Sequence, residues 1–236
     1  MLAERGYRAI ALDARGHGDS EWAKEGYVFR YFADDLVEVL RQVEGKPALV
    51  GASLGGLTSL LAVGESEEPL ASALVLVDIA PTMNRAGTQE IGTFMRANPE
   101  GFSSVEEAAD AVSRYMTDRP RPRDVSGLRR NLRERNGRFY WHWDPAFMQP
   151  QGGSFDPDTF ERRFLNAARH IRIPTLMVKG GRSRIVSDKE VDRLLETIPH
   201  CEIAEVKQAG HMVAGDANTS FSDALLPFLE RVYPPR

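Results

Sequence analysis

Val50-Gly51-Ala52-Ser53-Leu54-Gly55-Gly56 places a serine at the centre of a Gly-x-Ser-x-Gly stretch, directly behind a short apolar run. Ala48 to Val50 reads as a buried strand and Leu57 to Val63, rich in leucine and alanine, as a helix, so Ser53 falls on a strand-to-helix turn. Such a turn is tight, and neighbours without Cβ keep it from colliding with the adjoining strand and helix. The helix that follows directs free backbone N–H groups and the positive end of its dipole at any negative charge developing beside the serine. Ser53 is therefore a candidate nucleophile, and the Leu54 N–H a candidate oxyanion donor.

Outward from this turn the chain alternates strand and helix patterns. Tyr7 to Asp13 reads as a strand that breaks into the turn Arg15-Gly16-His17-Gly18-Asp19-Ser20. From Phe29 to Val43, the apolar residues Phe32, Leu36, Val39, Leu40 and Val43 recur at helical spacing. Ala73 to Val77 is an uninterrupted apolar run, as for a central parallel strand covered on both faces, and it ends at Asp78. Between about 81 and 165 no comparable strand pattern occurs, and the segment is expected to be a mostly helical cap with a helix over Val105 to Met116. Strands return at Pro174 to Val178 and near Ile203 to Val206, and Phe221 to Val232 forms a closing amphipathic helix. The alternation predicts a doubly wound α/β fold with a mostly parallel sheet, its core formed by residues 1–80 and 166–236 and interrupted by the cap at 81–165.

Serine acyl-transfer chemistry needs a base, an acid that orients the base, and oxyanion donors. His211, in Ala209-Gly210-His211 just past the last strand, lies where a loop carries an imidazole across the strand ends toward Ser53. His200 sits in a polar loop, His170 precedes a strand, His142 lies inside Trp141-His142-Trp143, and His17 belongs to a tight turn. His211 is therefore the candidate base.

Asp13-x-Arg15-Gly16-His17-Gly18-x-Ser20, Gly51-x-Ser53-x-Gly55, Val77-Asp78-Ile79-Ala80-Pro81, Gly180-Gly181-Arg182-Ser183 and Ala209-Gly210-His211 occur in the order that resembles the α/β-hydrolase family. The resemblance implies a serine hydrolase of a small carboxylic ester, thioester or lactone, with no metal or organic cofactor. It leaves open a non-catalytic or truncated relative that binds a small ligand under the cap, and a cofactor-free perhydrolase or C–C bond hydrolase. Most members place the acid in the loop after the strand that here ends at Val178, but Arg184 stands near that position, and a guanidinium cannot accept an imidazole N–H. Asp188, the nearest carboxylate there, looks like the start of a helix. Asp78 ends the strand beside the serine strand, and its wording resembles a hydrolase subgroup whose acid follows that earlier strand. Ser53, Asp78 and His211 are thus the expected triad, with Asp188 as the alternative acid.

The family also begins with a hairpin and a further strand whose loop supplies a second oxyanion donor. No counterpart is legible, so the N-terminal strands are expected to be missing. A start-site error, a truncation and a strand from another chain remain open as explanations, and impaired activity is expected. Trp141, Trp143 and Phe147 are candidates for lining a substrate pocket under the cap, or for packing it. Residues 119–138 hold eight arginines, which read as a solvated face paired with acids elsewhere.

Across its 236 residues the chain carries a formal net charge of −4, which argues against general nucleic-acid binding. Its single cysteine, Cys201, permits no intrachain disulfide and reads as a small buried hydrophobe. No apolar run approaches the ~20 residues of a membrane span, and no signal-peptide pattern opens the sequence. The expectations are a cytoplasmic location, a small-molecule substrate, no nucleic-acid or membrane partner, and a homodimer as an option.

Overall fold

The structure, a computed structural model, describes residues 1–117, 121–149, 157–216 and 218–235. The chain divides into two compact units: Met1–Ala11, Val28–Thr88 and Gly153–Arg236 form the first, and Leu12–Tyr27 with Gln89–Gly152 the second. In chain order, α1 is Phe29–Gln42, β1 Ala48–Ala52, α2 Leu54–Gly64, β2 Ala73–Val77, α3 Arg85–Arg96, α4 Val105–Tyr115, β3 Leu132–Arg135 and β4 Arg138–Trp141. Then follow α5 (Pro157–Arg169), β5 (Thr175–Gly180), α6 (Asp188–Thr197), β6 (Cys201–Val206), α7 (Val213–Asp216) and α8 (Asn218–Val232).

The first unit is built on a parallel four-stranded sheet of order β1-β2-β5-β6. Every residue of β2 is at most 2% exposed, as its unbroken apolar run requires of a strand covered on both faces. Strand β5 is buried along its length and includes Lys179, whose ammonium pairs with Asp188 at 2.6 Å and Glu205 at 3.6 Å. The helix after the serine, α2, is apolar nearly all round and packs against α1 and α5. Leu225, Phe228 and Leu229 of α8 pack with Val75, Val77, Val178 and Val206. Burying each such side chain contributes roughly 1.5–3 kcal/mol.

Three expectations are corrected. Among the described residues Tyr7 to Asp13 is paired in no sheet, and Ile10 and Leu12 are 54% and 52% exposed; alternating apolar residues make a strand only where a neighbour takes up the backbone hydrogen bonds. Within this segment Tyr7 packs against the core cluster that includes α8. Strand β1 is not buried throughout: it is an edge strand, with Val50 44% exposed. The segment expected to be a helical cap contains the antiparallel hairpin β3–β4, turned by Asn136 (φ 51°) and Gly137 (φ 72°). Asn-Gly supplies the two positive φ angles of such a turn without strain, and this signal is present in the sequence. The second compact unit takes in 12–27 and ends at 152, and α5 belongs to the first unit and packs on α2.

The second unit has its own core of Phe102, Ala108, Ala111 and Leu132, with Val105, Leu128, Phe139 and Trp141 packed on it. Ser104 caps α4 by accepting the Glu107 N–H at 3.1 Å. Within this unit Asp144 accepts the Tyr27 hydroxyl at 2.6 Å, and Gly16 O accepts the Asp144 N–H at 2.7 Å. The arginine-rich segment is largely engaged. Arg121 pairs with Asp110 and Arg129 with Glu134, Arg133 with Asp19, and Arg135 lies over the rings of Trp22 and Tyr140. Arg119 and Pro120 lie outside the described residues. Among the described residues, no helix is long and apolar enough to cross a membrane.

Candidate active site

The register of β1 against β2 pairs Ala52 with Val77, so Ser53 and Asp78 are the first residues beyond two neighbouring strand ends. Both have positive φ, 47° at Ser53 and 49° at Asp78, a conformation that costs an L-residue of order 1–3 kcal/mol. Surrounding structure holds them there. The Ser53 N–H reaches Val77 O at 3.4 Å and the Asp78 N–H donates to Val178 O at 2.8 Å.

The glycines around Ser53 do not share one task. A Cβ on Gly51 would lie 2.4 Å from Gly55 O, and one on Gly56 would lie 2.4 Å from Ile79 Cγ2, so the strand, helix and following loop close only over bare Cα atoms. A Cβ on Gly55 would meet nothing within 4 Å, which corrects the expectation that both glycines of Gly-x-Ser-x-Gly are sterically required. Leu54 is the first residue of α2, so its N–H has no acceptor within the helix.

Asp78 is fully buried, and donors surround its carboxylate. Oδ1 accepts the Gly180 N–H at 2.8 Å; Oδ2 accepts the Ser183 hydroxyl at 2.6 Å and the His211 Nδ1–H at 2.8 Å. A carboxylate accepting from Nδ1 fixes the neutral imidazole with its lone pair on Nε2, the tautomer a general base needs. Glycines again make the approach feasible: a Cβ on Gly180 would lie 2.2 Å from Gly210 O, and one on Gly181 would lie 2.7 Å from Lys207 Cα. The Arg182 N–H donates to Ala209 O at 2.9 Å, which clasps the histidine loop to the end of β5.

The structure thus brings Asp78 and His211 together and sets Ser53 at the adjoining strand end. The Ser53 hydroxyl makes no hydrogen bond among the described residues. Asp188 is engaged elsewhere. It opens α6, is exposed, and its carboxyl is held below the usual range by Lys179, which in turn is held above the usual lysine range by Asp188. Ser183 is the participant to which the sequence assigned no role. Its hydroxyl accepts the Ile185 and Val186 N–H groups at 3.1 and 3.0 Å, so its one proton is left for Asp78.

In the second unit, Trp141 stacks on Trp143 at 5.0 Å and meets Phe102 edge-on, while Phe147 packs edge-on against His17 and Tyr27. Trp141 and Phe147 are therefore part of that unit's packing. His142 accepts the Gly18 N–H on Nδ1 at 2.9 Å, and burial lowers its pKa. Burial pushes the Cys201 thiol up to about 12, which suits a structural cysteine. Among the described residues no group of His, Cys, Asp and Glu is arranged to hold a metal.

Comparison with known proteins follows the same lines. The sn-1-specific diacylglycerol lipase ABHD11 of Mus musculus is 29% identical over 245 residues, covering 97% of this chain and 74% of that protein. The non-heme chloroperoxidase CPO-A1 of Kitasatospora aureofaciens is 31% identical over 245 residues, covering 98% and 85%. The solved structure of the Mycobacterium tuberculosis esterase Rv0045c superposes with a TM-score of 0.75 at 26% identity, covering 97% of this chain and 79% of that one. A model of the alpha/beta hydrolase fold matches residues 1–217, and the chain belongs to that family.

Proposed function

We propose that this protein is a serine hydrolase acting on a small carboxylic ester, thioester or lactone. The observation that carries the reading is the buried Asp78 carboxylate bonded to His211 Nδ1 at 2.8 Å, one strand end away from a serine held at positive φ. The names of its relatives, a lipase, an esterase and other hydrolases, support hydrolysis as the reaction class.

In this mechanism His211 Nε2 takes the Ser53 hydroxyl proton as Oγ adds to the substrate carbonyl carbon. Asp78 stabilises the imidazolium that results, and the Leu54 N–H donates to the oxyanion. The proton passes from Nε2 to the leaving alcohol or thiol, giving an acyl-enzyme on Ser53. Water, deprotonated by His211, then releases the acid and restores the serine.

A second reading is perhydrolysis, favoured by the identity to a non-heme chloroperoxidase. Hydrogen peroxide would replace water in attacking the same acyl-enzyme and release a peracid. Fluorophosphonate labelling with mass spectrometry tests the shared step: one adduct on Ser53 is expected, lost in Ser53→Ala together with turnover of p-nitrophenyl butyrate. Absence of any serine adduct in the wild type, with thermal stabilisation by an ester that is never consumed, would make the protein a binder instead.

A further inference from the structure

We propose that Gly87 and Asn84, at the start of α3, are positioning residues for the triad acid, acting through the loop that holds Ser183. The inference rests on the reading of Asp78 as that acid.

Ser183 can direct its proton to Asp78 only while the Ile185 and Val186 N–H groups occupy its hydroxyl oxygen. The backbone at 184–186 therefore sets where the Asp78 carboxylate points. That backbone is held from outside the loop by the first turn of α3. The Asn84 N–H donates to Ile185 O at 2.9 Å. The Asn84 side chain accepts the Ala86 and Gly87 N–H groups at 3.0 and 3.2 Å, so one residue both caps the helix and grips the loop. Gly87 completes the contact: a Cβ there would lie 2.2 Å from the Arg184 carbonyl oxygen and 2.9 Å from Ile185 Cδ1. Its φ is not in the left-handed region, so conformation does not demand a glycine, and glycine is a poor helix former. Close approach of the Arg184 carbonyl is the remaining requirement. Residues 78 to 84 and 183 to 186 are thus fastened at two points, Asp78 to Ser183 and Asn84 to Ile185.

Gly87→Ala pushes the Arg184 carbonyl away and carries Ser183 with it. The acid then loses its aim at His211 while the nucleophile is untouched. The experiment measures kcat, KM and the pH profile of kcat/KM with p-nitrophenyl butyrate for the wild type, Gly87→Ala, Ser183→Ala and the double variant. Gly92→Ala serves as control, because its Cβ would approach only the end of the Arg96 side chain. Gly87→Ala is expected to lose about 10-fold in kcat with little change in KM, no more than Ser183→Ala loses, because it acts through the Ser183 hydroxyl. The acidic limb of its profile moves to lower pH, because an imidazolium with a misdirected carboxylate gives up its proton more readily. In the Ser183→Ala background the same substitution is expected to cost much less, since its route to Asp78 is already cut.

Wild-type kcat and an unmoved acidic limb in Gly87→Ala would overturn the proposal, as would an equal loss in both backgrounds. Should Gly87→Ala not fold, Asn84→Ala loosens the same turn and is expected to move the limb in the same direction; an unmoved limb overturns the proposal equally. A Ser53→Ala protein that keeps the wild-type rate would instead remove the triad reading beneath it.

Discussion

The Ser183 hydroxyl donates to Asp78 Oδ2 at 2.6 Å, the same oxygen that accepts His211 Nδ1–H at 2.8 Å. One buried carboxylate is thereby fixed between a loop that orients it and the imidazole it orients. Ser183→Ala removes a hydrogen bond to a charged group and is expected to lower kcat about 10-fold. Ser183→Thr, which keeps the hydroxyl, is expected to restore most of that loss. Steady-state kinetics on the pair checks it, and equal kinetics for alanine and threonine would show that the hydroxyl does not matter.

Asp78→Asn leaves the shape but presents an amide where His211 needs an acceptor. A loss of about 10⁴ in kcat is expected, against little change for Asp188→Asn, whose carboxylate serves Lys179. A severe loss confined to Asp188→Asn would transfer the acid's role.

The two glycines after Ser53 should respond oppositely. Gly56→Ala forces a Cβ against Ile79 and the Gly51 carbonyl and is expected to destabilise by about 1–3 kcal/mol. Gly55→Ala enters open space in the first turn of a helix and is expected to leave stability unchanged or to raise it by up to about 1 kcal/mol of helix propensity. Thermal denaturation of both variants distinguishes them.

Alkaline stability follows from two buried groups. Burial and the hydrogen bond to Asp144 push the Tyr27 phenol up from 10 to about 12, and burial pushes the Cys201 thiol up from 9 to about 12. A pKa raised by folding gives stability that is complete below the unfolded value and lost as pH rises through the folded one. The melting temperature is therefore expected to fall from pH 9 for the Cys201 share and from pH 10 for the Tyr27 share, up to about pH 12. Tyr27→Phe and Cys201→Ala should each flatten part of that decline, and an unchanged slope in both would sink this account.

Much of the first unit was legible because its elements carry one-dimensional signatures. The apolar run of β2 and the helical spacing of α1 survive in the structure within a residue or so. The hairpin was missed because Leu132-Arg-Glu-Arg135 looks like a charged loop, although Asn136-Gly137 between the strands is itself a turn signal. Tyr7 to Asp13 shows the reverse: its pattern suits a strand, but among the described residues no strand pairs with it.

By itself the sequence determined the strand-to-helix turn at Ser53, the parallel α/β architecture and the short list of candidate partners, because steric demands at Ser53 and hydrophobic periodicity act locally. Which carboxylate meets His211 was decided by tertiary structure. Asp78 and His211 lie far apart in the chain, and only the strand register, with Gly180 and Gly181 admitting the histidine loop, brings them to 2.8 Å. Ser183 and Gly87 act through contacts that have no sequence period, since each depends on where a separate loop comes to rest against Asp78.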